Sequence, residues 1–123
     1  MACPYGATNP LFSNCNPEVF VAAWAGQGHA RWNAGGKRGV YTHLVNNPER
    51  QGEHPTEKPV SLMSEIIADF TNEGQTILDP FGGVMSVPYQ AIKMRRKGWG
   101  IELSSQYHGF GVSYCERAEN KLN

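Results

Sequence analysis

No stretch of the chain approaches the roughly 20 consecutive apolar residues that a membrane-spanning helix requires, and residues 1–14 lack the charged, then apolar, then small-residue order of a secretory leader. A soluble cytoplasmic protein with no membrane partner is expected. Cysteine is sparse: Cys3, Cys15 and Cys115 are odd in number and form no CxxC pair, so neither a disulfide framework nor a zinc knuckle is supported. All three read as ordinary thiols. The four histidines, His29, His43, His54 and His108, are spaced so that no two share one face of a short helix, which argues against a metal site. Net charge is absent too, with 11 basic against 11 acidic side chains, and 123 residues at 40% hydrophobic content describe one small domain.

The charges that are present are unevenly placed. Between Glu18 and Glu49 there is no carboxylate, while Arg31, Lys37 and Arg38 fall in that window beside His29 and His43. A second cluster, Lys93, Arg95, Arg96 and Lys97, follows a region containing Glu65, Asp69, Glu73 and Asp79. Either cluster reads as a nucleic-acid footprint or as a solvated face, and the second also as a helix C-terminus whose dipole favours cations.

Residues 1–53 are rich in proline, glycine and asparagine and read as loops and short strands, with Glu18–Trp24 (EVFVAAW) the clearest strand candidate. From Pro59 the texture changes. Leu62, Met63, Ile66, Ile67 and Phe70 recur at helical spacing, with Gly74 as a stop, and predict an amphipathic helix. Thr76–Leu78 predicts a strand ending in Asp79-Pro80, Gly82-Gly83 a turn, and Pro88 the first turn of a helix reaching about Arg96 that Gly98 closes. Trp99–Leu103 (WGIEL) predicts the next strand. Ser104 or Ser105 then caps a last helix whose Tyr107, Phe110, Tyr114 and Ala118 share a face. Alternating strand and helix from residue 75 onward implies an α/β fold with parallel strands and flanking helices.

A strand ending in Asp79, a glycine turn, and an acid, Glu102, at the tip of the next strand suit a nucleoside. Glycine lets a ligand approach the backbone, and a carboxylate about 20 residues further on accepts ribose hydroxyls. The same features also serve a plain structural turn. No third glycine follows Gly83, which disfavours a dinucleotide and with it a nicotinamide- or flavin-dependent oxidoreductase. No Gly-Lys-Ser or Gly-Lys-Thr occurs, which excludes a Walker-type phosphate loop. A nucleoside without phosphates, such as S-adenosylmethionine, fits better.

Three motifs in order then carry a resemblance: His54–Pro59 (HPTEKP), Ile77–Gly83 (ILDPFGG) and Gly100–Leu103 (GIEL) with Tyr107. Together with Arg31–Val40 (RWNAGGKRGV), they resemble the C-terminal half of the S-adenosylmethionine-dependent DNA amino-methyltransferases of phage and prophage type, over roughly residues 19–119. The resemblance implies a partial Rossmann-like methyltransferase fold, with a loop-rich DNA-contact segment over 1–53 and a cofactor-binding core over 54–123. It implies that Asp79, Pro80, Phe81 and Gly83 take the methionine part of the cofactor, that Thr56, Lys58 and Pro59 assist from the other side, and that Glu102 takes the ribose hydroxyls. Asp79 supplies an anion for the cationic amino and sulfonium groups, and Phe81 an aromatic contact unless it is plain core. His54 reads as a loop residue. Arg31, Lys37 and Arg38 are the candidate DNA contacts, in a bacterial or phage-infected cell.

Two departures from the family pattern stand out. Val84-Met85-Ser86 takes the place of a small residue and a further glycine, and this bulk is expected to narrow the cofactor pocket. The catalytic motif of the family, an Asp, Asn or Ser followed by two prolines and an aromatic, does not occur in this sequence. Asn9-Pro10-Leu11-Phe12 comes nearest, lacks the second proline, and lies too close to Arg31–Val40. The catalytic residues are therefore unknown. The chain reads as a cofactor-binding half, completed by a second polypeptide or by self-association, or alternatively as a non-catalytic remnant that binds DNA or a protein partner.

Overall fold

Residues 32–37, 40–43 and 58–122 are described in a computed structural model of the chain. Helix α1 spans Val60–Phe70, strand β1 Thr76–Asp79, helix α2 Ser86–Lys93, strand β2 Lys97–Gly100 and helix α3 Ser105–Glu119. The strands pair in parallel with Thr76 opposite Lys97 and Asp79 opposite Gly100, joined through α2. This is the alternating α/β order that the sequence predicts. The strand candidate Glu18–Trp24 lies outside the described residues.

Helix α1 follows Pro59, whose fixed φ suits a helix entry. Val60, Met63 and Ile67 form its buried stripe at i, i+3 and i+7. Thr71 leaves the helix in extended conformation, and Gly74 turns the chain into β1 with φ +81° while its N–H donates to the Arg95 carbonyl at 2.9 Å.

Helix α2 begins at Ser86, which puts Pro88 in its first turn as expected, but it departs from expectation at the other end, stopping at Lys93 instead of Arg96. The stop is Arg95, in the left-handed region with φ +61°. The Arg95 N–H donates to Ile92 O and the Arg96 N–H to Ala91 O, each at 2.8 Å, which is a Schellman closure with arginine where glycine is usual. Gly98, expected to close the helix, instead lies inside β2. The strand is correspondingly earlier than predicted, and Ile101–Leu103 run past its end.

Gly98 has a packing reason to be where it is. A β-carbon there would fall 2.5 Å from the Pro88 carbonyl oxygen and 2.7 Å from its Cα, so α2 lies directly on β2. Behind α2, Tyr89 stacks on Tyr114 of α3 with ring centroids 3.6 Å apart, and Ala118 completes that cluster. Cys115 lies against the same cluster, where burial first and Glu119 second push its thiol up to about 11. It stays a protonated, unreactive thiol at neutral pH.

Candidate nucleoside site at the strand ends

The carboxyl ends of β1 and β2 bring together residues from three segments. The Asp79 carbonyl accepts the Ile101 N–H at 2.9 Å, and the Ile101 carbonyl accepts the Gly82 N–H at 2.7 Å, so the glycine turn is pinned to the chain leaving β2. The Gly83 N–H then donates to Glu102 Oε2 at 2.8 Å, while the Ser104 N–H donates to Oε1 at 2.8 Å. Two backbone donors therefore fix the plane of the Glu102 carboxylate beside the turn. Ser104 also caps α3, its hydroxyl accepting the Tyr107 N–H at 3.4 Å.

Asp79 Oδ1 accepts the Phe81 N–H at 3.0 Å, which shapes the first step of the turn. The Phe81 ring is 87% exposed and is not core, and Pro80 is exposed next to it. Asp79, Pro80, Phe81, Gly83 and Glu102 thus gather at one end of the sheet. This is where open α/β sheets take ligands.

The bulk of Val84-Met85 does not narrow that end. Both side chains are 4% exposed, and Met85 lies beneath the turn against Gly82, Gly100 and Gly111. A left-handed backbone at Met85, φ 60° and ψ 36°, turns its side chain inward. Lys58 and Pro59 stand at the start of α1, which packs on α2 through Gln90 Nε2 donating to Ser64 Oγ at 2.6 Å, one helix away from the turn. Thr56, Arg31 and Arg38 lie outside the described residues.

Lys37, expected to face a phosphate, has a different environment. Its ammonium lies 2.5 Å from Glu65 and 2.5 Å from Asp69 of α1. Partial desolvation lowers its pKa, but hydrogen bonds to Asp69 and Glu65 outweigh this and hold it above the ordinary lysine value. Tyr41 donates to Asp69 at 2.8 Å, and His43 bridges Ser61 at 3.0 Å and Glu65 at 2.5 Å. Asn33 Nδ2 donates to the Ala68 and Thr71 carbonyls at 2.9 and 3.0 Å, and Trp32 meets Phe70 edge-on at 5.1 Å. Sequence reasoning missed this array. Its partners are 18 to 39 residues apart, and only the like spacing of Ser61, Glu65 and Asp69 on one face of α1 could have hinted at it.

A profile of the DNA methylase family matches residues 16–111. The chain belongs to that family. Among its relatives, the DNA adenine methyltransferase YhdJ of Escherichia coli K12 is 42% identical over 67 residues, covering 54% of this chain and 23% of YhdJ. The type II methyltransferase M.HindIII of Haemophilus influenzae is 29% identical over 115 residues, covering 89% of this chain and 36% of that enzyme. The structure of M1.HpyAVI in complex with S-adenosylmethionine superposes with a TM-score of 0.57 at 25% identity, covering 72% of this chain and 45% of that one. The chain thus spans less than half the length of these relatives, and its parallel strands with flanking helices are part of the methyltransferase fold.

Proposed function

We propose that this chain is the S-adenosylmethionine-binding portion of a DNA amino-methyltransferase acting on adenine or cytosine. The observation that carries the reading is the Gly83–Glu102 hydrogen bond, which sets a backbone amide and an oriented carboxylate side by side at the ends of two parallel strands. Residues 54–123 form the cofactor core. Glu102 accepts the ribose hydroxyls, Asp79 faces the cationic amino and sulfonium groups, the exposed Phe81 ring lies along the aliphatic part, and Thr56, Lys58 and Pro59 approach from the α1 side. Bound there, the cofactor supplies an electrophilic methyl group.

DNA is the substrate, which places the protein in the cytoplasm of a bacterial or phage-infected cell; no described helix is long and apolar enough to cross a membrane. Residues 1–53 are assigned to DNA contact, with Arg31 and Arg38 on phosphates. Because the 123 residues contain no Asp-, Asn- or Ser-Pro-Pro-aromatic run, the group that holds the target amine is assigned to a partner polypeptide or to a segment outside this chain. A non-catalytic remnant is the rival reading, and cofactor binding separates the two. Titration calorimetry should show S-adenosylmethionine binding, weakened by about 1–3 kcal/mol in Glu102→Ala through loss of charge-assisted hydrogen bonds. No heat at millimolar cofactor overturns the assignment.

A further inference from the structure

Met85 caps α2 with a left-handed backbone, a conformation that disfavours any side chain bearing a β-carbon. Packing therefore has to hold it there. Three glycines from three elements show how. A β-carbon built on Gly82 of the turn would lie 2.5 Å from the Met85 sulfur, one on Gly100 at the end of β2 would overlap the same sulfur, and one on Gly111 of α3 would overlap Met85 Cγ. Three bare backbone positions thus make a socket that one thioether fills, and a flexible, unbranched side chain suits so irregular a space. The roof of the socket is the turn itself. Met85 N–H donates to Gly82 O at 2.7 Å, and one residue away Gly83 N–H donates to Glu102.

We infer that Met85 is a positioning residue for the cofactor: seated between Gly82, Gly100 and Gly111, its side chain sets the height of the glycine turn above β2 and so holds Gly83 against Glu102. The inference rests on the cofactor-binding reading of Glu102. Simple core filling predicts that changes at Met85 alter stability and leave the turn alone. Positioning predicts that they alter the turn in molecules that remain folded.

Four variants separate these outcomes. Met85→Leu keeps the volume; Met85→Gly empties the socket while relaxing the left-handed backbone; Gly111→Ala drives a methyl onto Met85 Cγ; and Met85→Gly/Gly111→Ala returns one methyl from α3 to the Cγ end of the emptied socket. S-adenosylmethionine titration at temperatures where melting curves show each variant folded should give Met85→Leu within about threefold of the parent and Met85→Gly and Gly111→Ala about tenfold weaker, with the double variant recovering only part of the loss, since the space beneath Gly82 stays empty. Hydrogen exchange at the Gly83 amide, measured without cofactor, should accelerate in the two weakened variants and slow only in part in the double variant. If the parent chain binds no cofactor, the reading of Glu102 fails and the Gly83 exchange rates still decide whether Met85 sets the turn. If the parent binds and Met85→Gly binds equally well with an unchanged Gly83 amide, Met85 only fills space and the inference is overturned. Should Met85→Gly not fold, Gly111→Ala and Met85→Leu carry the same comparison.

Discussion

At the residue scale, the Lys37 cluster changes what a basic residue in the acid-free window does. The hydrogen bond to Lys37 first, and then that to His43, hold the Glu65 carboxyl below its ordinary value; Asp69 is lowered first by Lys37 and also by Tyr41. Groups with depressed folded-state values contribute fully above their unfolded values near about 4, and that contribution is lost as pH falls through the lower folded values. Lys37 is raised, so its share is complete below about 10.4 and disappears as pH climbs past its folded value. Docking of residues 32–37 and 40–43 on α1 should therefore hold through neutral pH and release in acid below about 4. The amide of Asn33, which donates to Asp69 O at 2.7 Å, reports this by NMR. Lys37→Ala should lower the urea midpoint and release the segment, since it leaves Asp69, 8% exposed, without its cation. For DNA, Arg31→Ala and Arg38→Ala should each reduce the salt slope by about one unit while Lys37→Ala leaves it unchanged, because a lysine paired within the chain releases no counterion from DNA. An equal loss in all three would return Lys37 to the phosphate-contact set. Charge composition made the window legible. The direction in which Lys37 points was not, because it depends on α1 carboxylates 28 and 32 residues away.

At the element scale, helix α1 was readable because Pro59 and the spacing of Met63 and Ile67 act within one helix, and β1 because an apolar triplet ends on Asp79-Pro80. The end of α2 was not. A Schellman closure normally advertises itself by a glycine, and here Arg95 adopts the left-handed conformation while Gly98 is reserved for contact with Pro88. Swapping those roles tests the account. Arg95→Gly should stabilise by up to about 1 kcal/mol, the relief of a left-handed side chain offset in part by backbone entropy. Gly98→Ala should cost about 1–3 kcal/mol, because its β-carbon meets the backbone of Pro88, which cannot rotate away. Urea unfolding midpoints of the two variants, moving in opposite directions, would confirm which residue ends the helix and which one seats it. That Glu102 lies at the same sheet end as the glycine turn was legible for a related reason, in that a strand, a helix and a second strand fix how far apart two strand ends lie in sequence, whereas its hydrogen bond to the Gly83 amide was not foreseen.

At the scale of the whole molecule, the described helices cover the two-stranded sheet on one side, through α2. Helix α2 and its cap Met85 pack Pro88 and Met85 onto Gly98 and Gly100, and the face that points the other way carries Thr76 and Lys97 at its start and then apolar side chains: Leu78 is 58% exposed, Trp99 65% and Ile101 59%. Leu78 and Trp99 are register partners, so they form one continuous strip across both strands. Parallel strands are almost always buried on both faces, and an exposed apolar strip beside open strand edges invites association. The strip also adjoins the proposed cofactor end, since Ile101 binds the turn through its carbonyl and precedes Glu102. With the cofactor at the proposed site, a partner covering the strip would stand next to the methyl donor, where the residues that hold a target amine in line are needed. Sedimentation of the purified chain should accordingly show a species heavier than 13.6 kDa, and Leu78→Lys/Trp99→Lys should dissociate it without loss of helical signal. Tritium-methyl transfer to DNA should remain at background for the chain alone and appear only when a polypeptide carrying the proline-rich catalytic motif is supplied. A monomer that methylates DNA unaided would refute both statements at once and would turn attention to Asn9–Phe12 as the catalytic element.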